Sequence, residues 1–136
     1  MYSFSSLAEF AILRDSIKRE LVQTCEEDAL RLFIAINEGV NNAIFHGNKE
    51  DNTKKVQIII ERSPEDVQII IRDEGDGFVN AKKTADMELW DENGRGLELI
   101  GLYVDSCWWN TKGNEITLVK KINPAYCKPF RTCTSL

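Results

Sequence analysis

The chain has 136 residues, 43% of them apolar and 29% charged, which is enough for one domain with a real core and too few for two. Its formal net charge of -5 offers no basic face for a nucleic-acid backbone, so direct nucleic-acid binding is not expected. The first residues show no basic segment leading into an apolar run, and no apolar stretch approaches membrane-spanning length, so a cytoplasmic protein without membrane contact is expected.

Leu7, Phe10, Leu13, Ile17 and Leu21 recur at steps of three and four, which predicts a helix over roughly 6–23. The acidic cluster Glu26, Glu27 and Asp28 suits a helix N-terminus, and Leu30, Phe33, Ile34, Val40 and Ile44 continue the same period. A second helix is therefore predicted over about 26–46, ending near Gly47 and Asn48. Two β-branched runs follow, one through Val56, Ile58, Ile59 and Ile60 and one through Val67, Ile69, Ile70 and Ile71. The turn residues Ser63, Pro64, Glu65 and Asp66 between them predict an antiparallel hairpin.

A Gly- and Asp-rich segment and a polar stretch then lead to a helix predicted over about 94–104. Two last strands, near 106–111 and 115–122, are separated by Lys112, Gly113 and Asn114, again a hairpin. Of Trp108 and Trp109, neighbours on a strand, one should enter the core and the other face out. The elements together predict an α/β two-layer sandwich with an open, mostly antiparallel sheet over residues 1–122, and an irregular tail over 123–136 containing Pro124 and Pro129. Cys25, Cys107, Cys127 and Cys133 are scattered and accompanied by a single histidine, so reduced thiols are expected rather than a zinc site or disulfides.

Three segments carry chemistry. On the second helix Glu38 and Asn42 are four apart and project from one side, at the edge of the apolar stripe. A carboxylate there can take a proton or orient a hydroxyl, and an amide oxygen is a hard ligand suited to Mg²⁺; a solvated polar helix edge has the same pattern. Asp73, Gly75 and Gly77 sit in Asp73-Glu74-Gly75-Asp76-Gly77 directly after a strand. The glycines permit unusual backbone conformations and close approach to a ligand, and Asp73 can accept a hydrogen bond from an exocyclic amine such as adenine's; a tight turn or a calcium loop is the alternative. Gly94, Arg95, Gly96 and Leu97 open the third helix, where free N–H groups and the helix dipole favour phosphate and Arg95 can add a charged contact; a plain capping turn is the alternative. The P-loop pattern and the Rossmann GxGxxG are both missing. In sequence order the three segments supply different parts of a Mg-nucleotide site.

These residues resemble the histidine-kinase-like ATPase superfamily and, within it, the bacterial anti-sigma-factor serine kinases. The segment from Glu38 to Gly47 is similar to that family's N box (ExxxNAxxHG), Asp73 to Gly77 to its first glycine box (DxGxG), and Gly94 to Ile100 to its second (GxGLxLI). The resemblance covers about residues 6–122. It implies the Bergerat ATP-binding fold, a mostly antiparallel mixed sheet covered on one face by about three helices. It implies ATP and Mg²⁺ as cofactors, with Asn42 on the metal, Asp73 on the adenine amine, Glu38 as the base activating an acceptor hydroxyl, and the glycines of both boxes shaping the phosphate contacts and a lid over 78–93.

The activity implied is that of a serine-protein kinase and anti-sigma factor, with a STAS-domain anti-anti-sigma protein and a sigma factor as partners and a homodimer as the assembly. A non-catalytic, nucleotide-dependent protein-binding switch of the same fold is the alternative. Two departures from the family pattern stand out. Met1 to Ser6 leaves room for only a stub of the usual first strand, and Asn114 stands after Gly113 where the family often has threonine, so that a hydroxyl contact near the adenine is either lost or replaced by the Asn114 amide.

Overall fold

The computed structural model describes residues 1–24, 26–76 and 100–122. The stub at the N-terminus is a three-residue strand, β1 (Tyr2–Phe4), paired antiparallel with the strand that begins at Val56. Ser6 then starts α1 (Leu7–Thr24). Its Oγ accepts the Glu9 N–H at 3.2 Å, and the Glu9 carboxylate accepts the Ser5 N–H at 2.6 Å, a close variant of the reciprocal Ser-x-x-Glu cap. The predicted period places Phe10, Ile17 and Leu21 in the interior, while Arg14 and Lys18 lie over the Phe10 and Phe33 rings on the outer side of the helix pair.

The second helical segment is one run of three pitches. A 3-10 turn at Glu26–Asp28 leads into α2 (Ala29–Asn42), and the last turn, Ala43–Gly47, is π-helical. There the Asn48 N–H reaches back five residues to the Ala43 carbonyl at 2.8 Å. A π turn is uncommon and tends to mark a functional stretch; here it closes the Asn42–Gly47 segment. The chain then reverses through Lys49 and Glu50, both left-handed at φ 55 and 61.

The predicted hairpins form β2 (Val56–Arg62) with β3 (Asp66–Arg72), and β4 (Ser106–Trp109) with β5 (Glu115–Lys121). Ser63 organises the first turn, its Oγ accepting the N–H groups of Glu65 and Asp66. Asn110 organises the second, its Oδ1 accepting the N–H groups of Gly113, Asn114 and Glu115, with Gly113 left-handed at φ 86. The sheet order is β1-β2-β3-β5-β4, and every ladder is antiparallel.

Alternation along the strands splits the sheet into two faces. Val56, Ile58, Val67, Ile69, Ile71, Ile116 and Leu118 join Phe10, Ile17, Leu21, Leu32, Ile36 and Val40 in one buried cluster between the sheet and the helices. Ile100 and Val104 extend it from a helical turn at 100–103, the end of the predicted third helix; the start of that helix lies outside the described residues. The opposite face carries a cross-strand row of Ile59, Ile70, Thr117 and Trp108. Trp108 is 50% exposed and Trp109 packs against the core, as strand alternation requires. Cys107 is a free, half-buried thiol; the other three cysteines and the tail over 123–136 lie outside the described residues.

Candidate functional site

Where α2 and its π turn cross the ends of β3 and β5, the side chains leave a cavity of about 70 Å³ that opens to solvent. Gly39, Asn42, Ala43, His46 and Gly47 line it from the helix side, and Ile71, Asp73, Trp109, Gly113 and Ile116 from the sheet side. The apolar walls and few polar groups suit a flat heteroaromatic ring.

Asp73 and Asn42 are the polar groups that the sequence pointed to, and both line this space. Asp73 leaves the end of β3 and is 6% exposed. Burial pushes its carboxyl up to about 6, against the opposing effect of the Gly75 N–H, which donates to Oδ1 at 2.8 Å. Its backbone is held from the far side by Asn114: the Asp73 N–H donates to the Asn114 carbonyl at 2.9 Å, and Asn114 Nδ2 donates to the Asp73 carbonyl at 3.1 Å. Asn114 Oδ1 in turn accepts from Asn110 Nδ2 at 2.8 Å. The Asn114 amide that could replace a hydroxyl contact near an adenine is therefore committed to holding Asp73, and Gly113 lines the cavity in its place.

Asn42 is 8% exposed, and its Nδ2 is buried without a hydrogen-bond partner. An unmatched buried amide costs about 1–3 kcal/mol unless a ligand satisfies it. Half a turn of the same group offers an oxygen, a neutral hard donor of the kind Mg²⁺ accepts alongside phosphate oxygens and water. The metal role that the N box implies would use this oxygen, since the unpartnered Nδ2 is a donor and cannot bind a cation.

Gly75 differs from its expected reason. It has no left-handed φ; instead, a side chain there would collide with the Gly47 carbonyl, and one at Gly47 would collide with the Asp73 carboxylate. The two glycines let the N-box helix end and the Asp73 loop touch backbone to backbone. Gly39 likewise lets α2 settle onto β3, where a Cβ would meet the Ile71 Cδ1. Glu38, one turn before Asn42 on the same helix, is half-buried and does not line the cavity. Gly77, Gly94, Arg95, Gly96 and Leu97, with the lid segment 78–93, lie outside the described residues.

Residues 5–120 match the family described as the histidine kinase-like ATPase domain. The chain belongs to that family. An anti-sigma F factor of Clostridium perfringens (strain SM101 / Type A) is 29% identical over 106 residues, which span 71% of this chain and 75% of that protein. The serine-protein kinase RsbW of Bacillus subtilis (strain 168) is 29% identical over 102 residues, 68% of this chain and 64% of that protein. An α/β sandwich with a five-stranded antiparallel sheet is consistent with this family's ATP-binding fold. An ATPase domain implies nucleotide binding, and the two relatives support an anti-sigma, kinase-like regulatory role. Among the described residues no helix is long and apolar enough to cross a membrane.

His46, Gly47, Ile71, Trp109 and Ile116 also line the cavity, although sequence reading did not single them out. His46 and Gly47 were within reach of it as the closing pair of the N box. The others carry no local signal, because strand apolar residues look alike until the register places them.

Proposed function

We propose that this chain is an ATP-dependent serine-protein kinase and anti-sigma regulatory factor that phosphorylates a STAS-domain anti-anti-sigma protein in the cytoplasm. One observation carries the reading: Asn42, with a buried unpartnered amide, and Asp73, a buried carboxylate, meet in one apolar-walled cavity of an ATPase-family domain. The names of the relatives, an anti-sigma F factor and a serine-protein kinase, support the regulatory and catalytic halves of it.

In this reading the adenine enters between Ile71, Ile116 and Trp109, and its amine donates to the Asp73 carboxylate. Mg²⁺, held through the Asn42 amide oxygen, supplies neutralising charge to the phosphates. The resemblance assigns the phosphate and lid contacts to Gly75, Gly77, Gly94, Arg95, Gly96 and Leu97. Glu38, a turn before Asn42 and outside the cavity lining, is assigned to the acceptor side, where it orients or deprotonates the incoming serine hydroxyl. A sigma factor is the second protein partner, and a homodimer the assembly, for which the Ile59, Ile70 and Trp108 row offers an apolar face.

The position of Glu38 outside the cavity lining also favours a second reading, a switch that binds nucleotide and a protein without transferring phosphate. Incubation with γ-labelled ATP, Mg²⁺ and the STAS proteins encoded in the same genome separates the two. Label on a serine of one of them is expected. Nucleotide binding without label on any of them would select the switch.

A further inference from the structure

We propose that Asn48 is a positioning residue that aims the Asp73 carboxylate at the nucleotide base, so that it sets preference for the exocyclic amine rather than general nucleotide affinity. The inference rests on the assignment of Asp73 to the adenine amine.

Asn48 follows the π turn and is 3% exposed, an uncommon depth of burial for an asparagine. Both ends of its side chain are used. Oδ1 accepts the Glu74 N–H at 2.8 Å, and Nδ2 donates to the Lys55 carbonyl at 3.2 Å. The Lys55 N–H closes the ring by donating to Glu74 Oε1 at 2.8 Å. Three hydrogen bonds thus tie the end of the N-box helix, the residue before β2 and the loop after β3 into one unit. Glu74 stands between Asp73 and Gly75, and its N–H belongs to the peptide that joins it to Asp73. Fixing its N–H fixes the direction in which Asp73 leaves β3, and the Gly75 N–H then occupies Oδ1.

Asn114 holds Asp73 by its own backbone groups, upstream of Glu74. The backbone on either side of the Asp73 carboxylate is therefore held by two asparagines distant in sequence, Asn114 at Asp73 itself and Asn48 at Glu74. Asparagine alone at this size presents one acceptor and one donor in a fork. Aspartate would lose the donor and place a second negative charge beside Asp73. An apolar isostere would strand the Glu74 N–H and the Lys55 carbonyl. Hydrogen bonds weaken steeply as distance and angle drift, so a loosened loop loses the amine contact before it loses the ring-binding walls, which come from other elements.

The test titrates Mg-ATP and the Mg complex of purine riboside triphosphate, which lacks the amine, into the wild-type chain and into Asn48→Ala, Glu74→Ala and Glu74→Gln. The wild type should prefer ATP by about tenfold or more, as for hydrogen bonds to charged groups. Asn48→Ala should bring the two affinities within about twofold while holding the amine-free nucleotide within about threefold of wild type, differences well under 1 kcal/mol. Glu74→Ala should narrow the preference, and Glu74→Gln, which keeps the acceptor for the Lys55 N–H, should restore it.

An Asn48→Ala protein that keeps the wild-type preference, or that loses both nucleotides equally, overturns the inference. Should Asn48→Ala not fold, the Glu74 pair decides, and equal preference in its Ala and Gln forms overturns it. A wild type with no preference for the amine contradicts the Asp73 assignment itself and takes this inference with it.

Discussion

Asp73 combines two demands that pull against each other. In the role proposed for it, it would have to be ionised to accept a hydrogen bond strongly from an amine, yet its burial favours the protonated form and lifts its carboxyl from 3.8 to about 6. The raised value means that the ligand-free fold binds this proton more tightly than the unfolded chain does. The group's stabilising contribution is complete below about pH 4 and is lost as pH rises through about 6. Melting of the ligand-free chain against Asp73→Asn should therefore show the variant gaining on the wild type between pH 4 and pH 7, with a constant gap above. The same variant should lose Mg-ATP binding by about a hundredfold, because its amide presents a donor to the adenine amine. Glu38→Gln is the contrasting case at this scale. Calorimetry should find its Mg-ATP affinity within about threefold of wild type, and label transfer to a STAS substrate reduced by about a hundredfold to ten-thousandfold, the usual range for a general base.

The site depends on how closely α2 and its π turn approach β3, and three glycines set that distance. They are not equivalent. A methyl at Gly39 meets the flexible end of Ile71, while one at Gly75 meets the Gly47 backbone carbonyl. Gly39→Ala should thus change stability by no more than about 1 kcal/mol, since alanine also gains helix propensity. Gly75→Ala should cost about 2 kcal/mol or more and weaken nucleotide binding, because a backbone collision cannot be relieved by a rotamer change. Denaturant melts of the two variants check the order. Much at this scale was legible in the sequence. The three-and-four period from Leu7 to Leu21 and the turn residues at 63–66 and 112–114 predict α1 and both hairpins to within a few residues. The π turn was not legible, since a five-residue hydrogen-bond step leaves no mark on an apolar period. The stub at Tyr2–Phe4 was expected, but its partner β2 was not, because pairing across more than fifty residues follows from the assembled sheet rather than from three residues.

For the molecule as a whole, the motif residues were readable and their scaffold was not. Asn42 and Asp73 stand in recognisable boxes, and the fold brings them to one cavity. Asn48, Asn110 and Asn114 hold Asp73 through partners up to 41 positions away, and an isolated asparagine in a turn looks like any other. This division follows from the architecture. Chemistry is gathered at one end of an open sheet, while the support comes from every loop that reaches that end. The account's central claim, that this end of the sheet binds a Mg-nucleotide, is tested most directly by calorimetric titration of Mg-ATP into the wild-type chain at pH 7.5, with Asp73→Asn alongside. It predicts saturable heat with one nucleotide per chain, and a melting temperature that rises with ligand concentration by mass action. In the variant both responses should need about a hundredfold more ligand. The absence of both heat and a melting shift in the wild type at millimolar Mg-ATP, or an undiminished response in a folded Asp73→Asn protein, would contradict it.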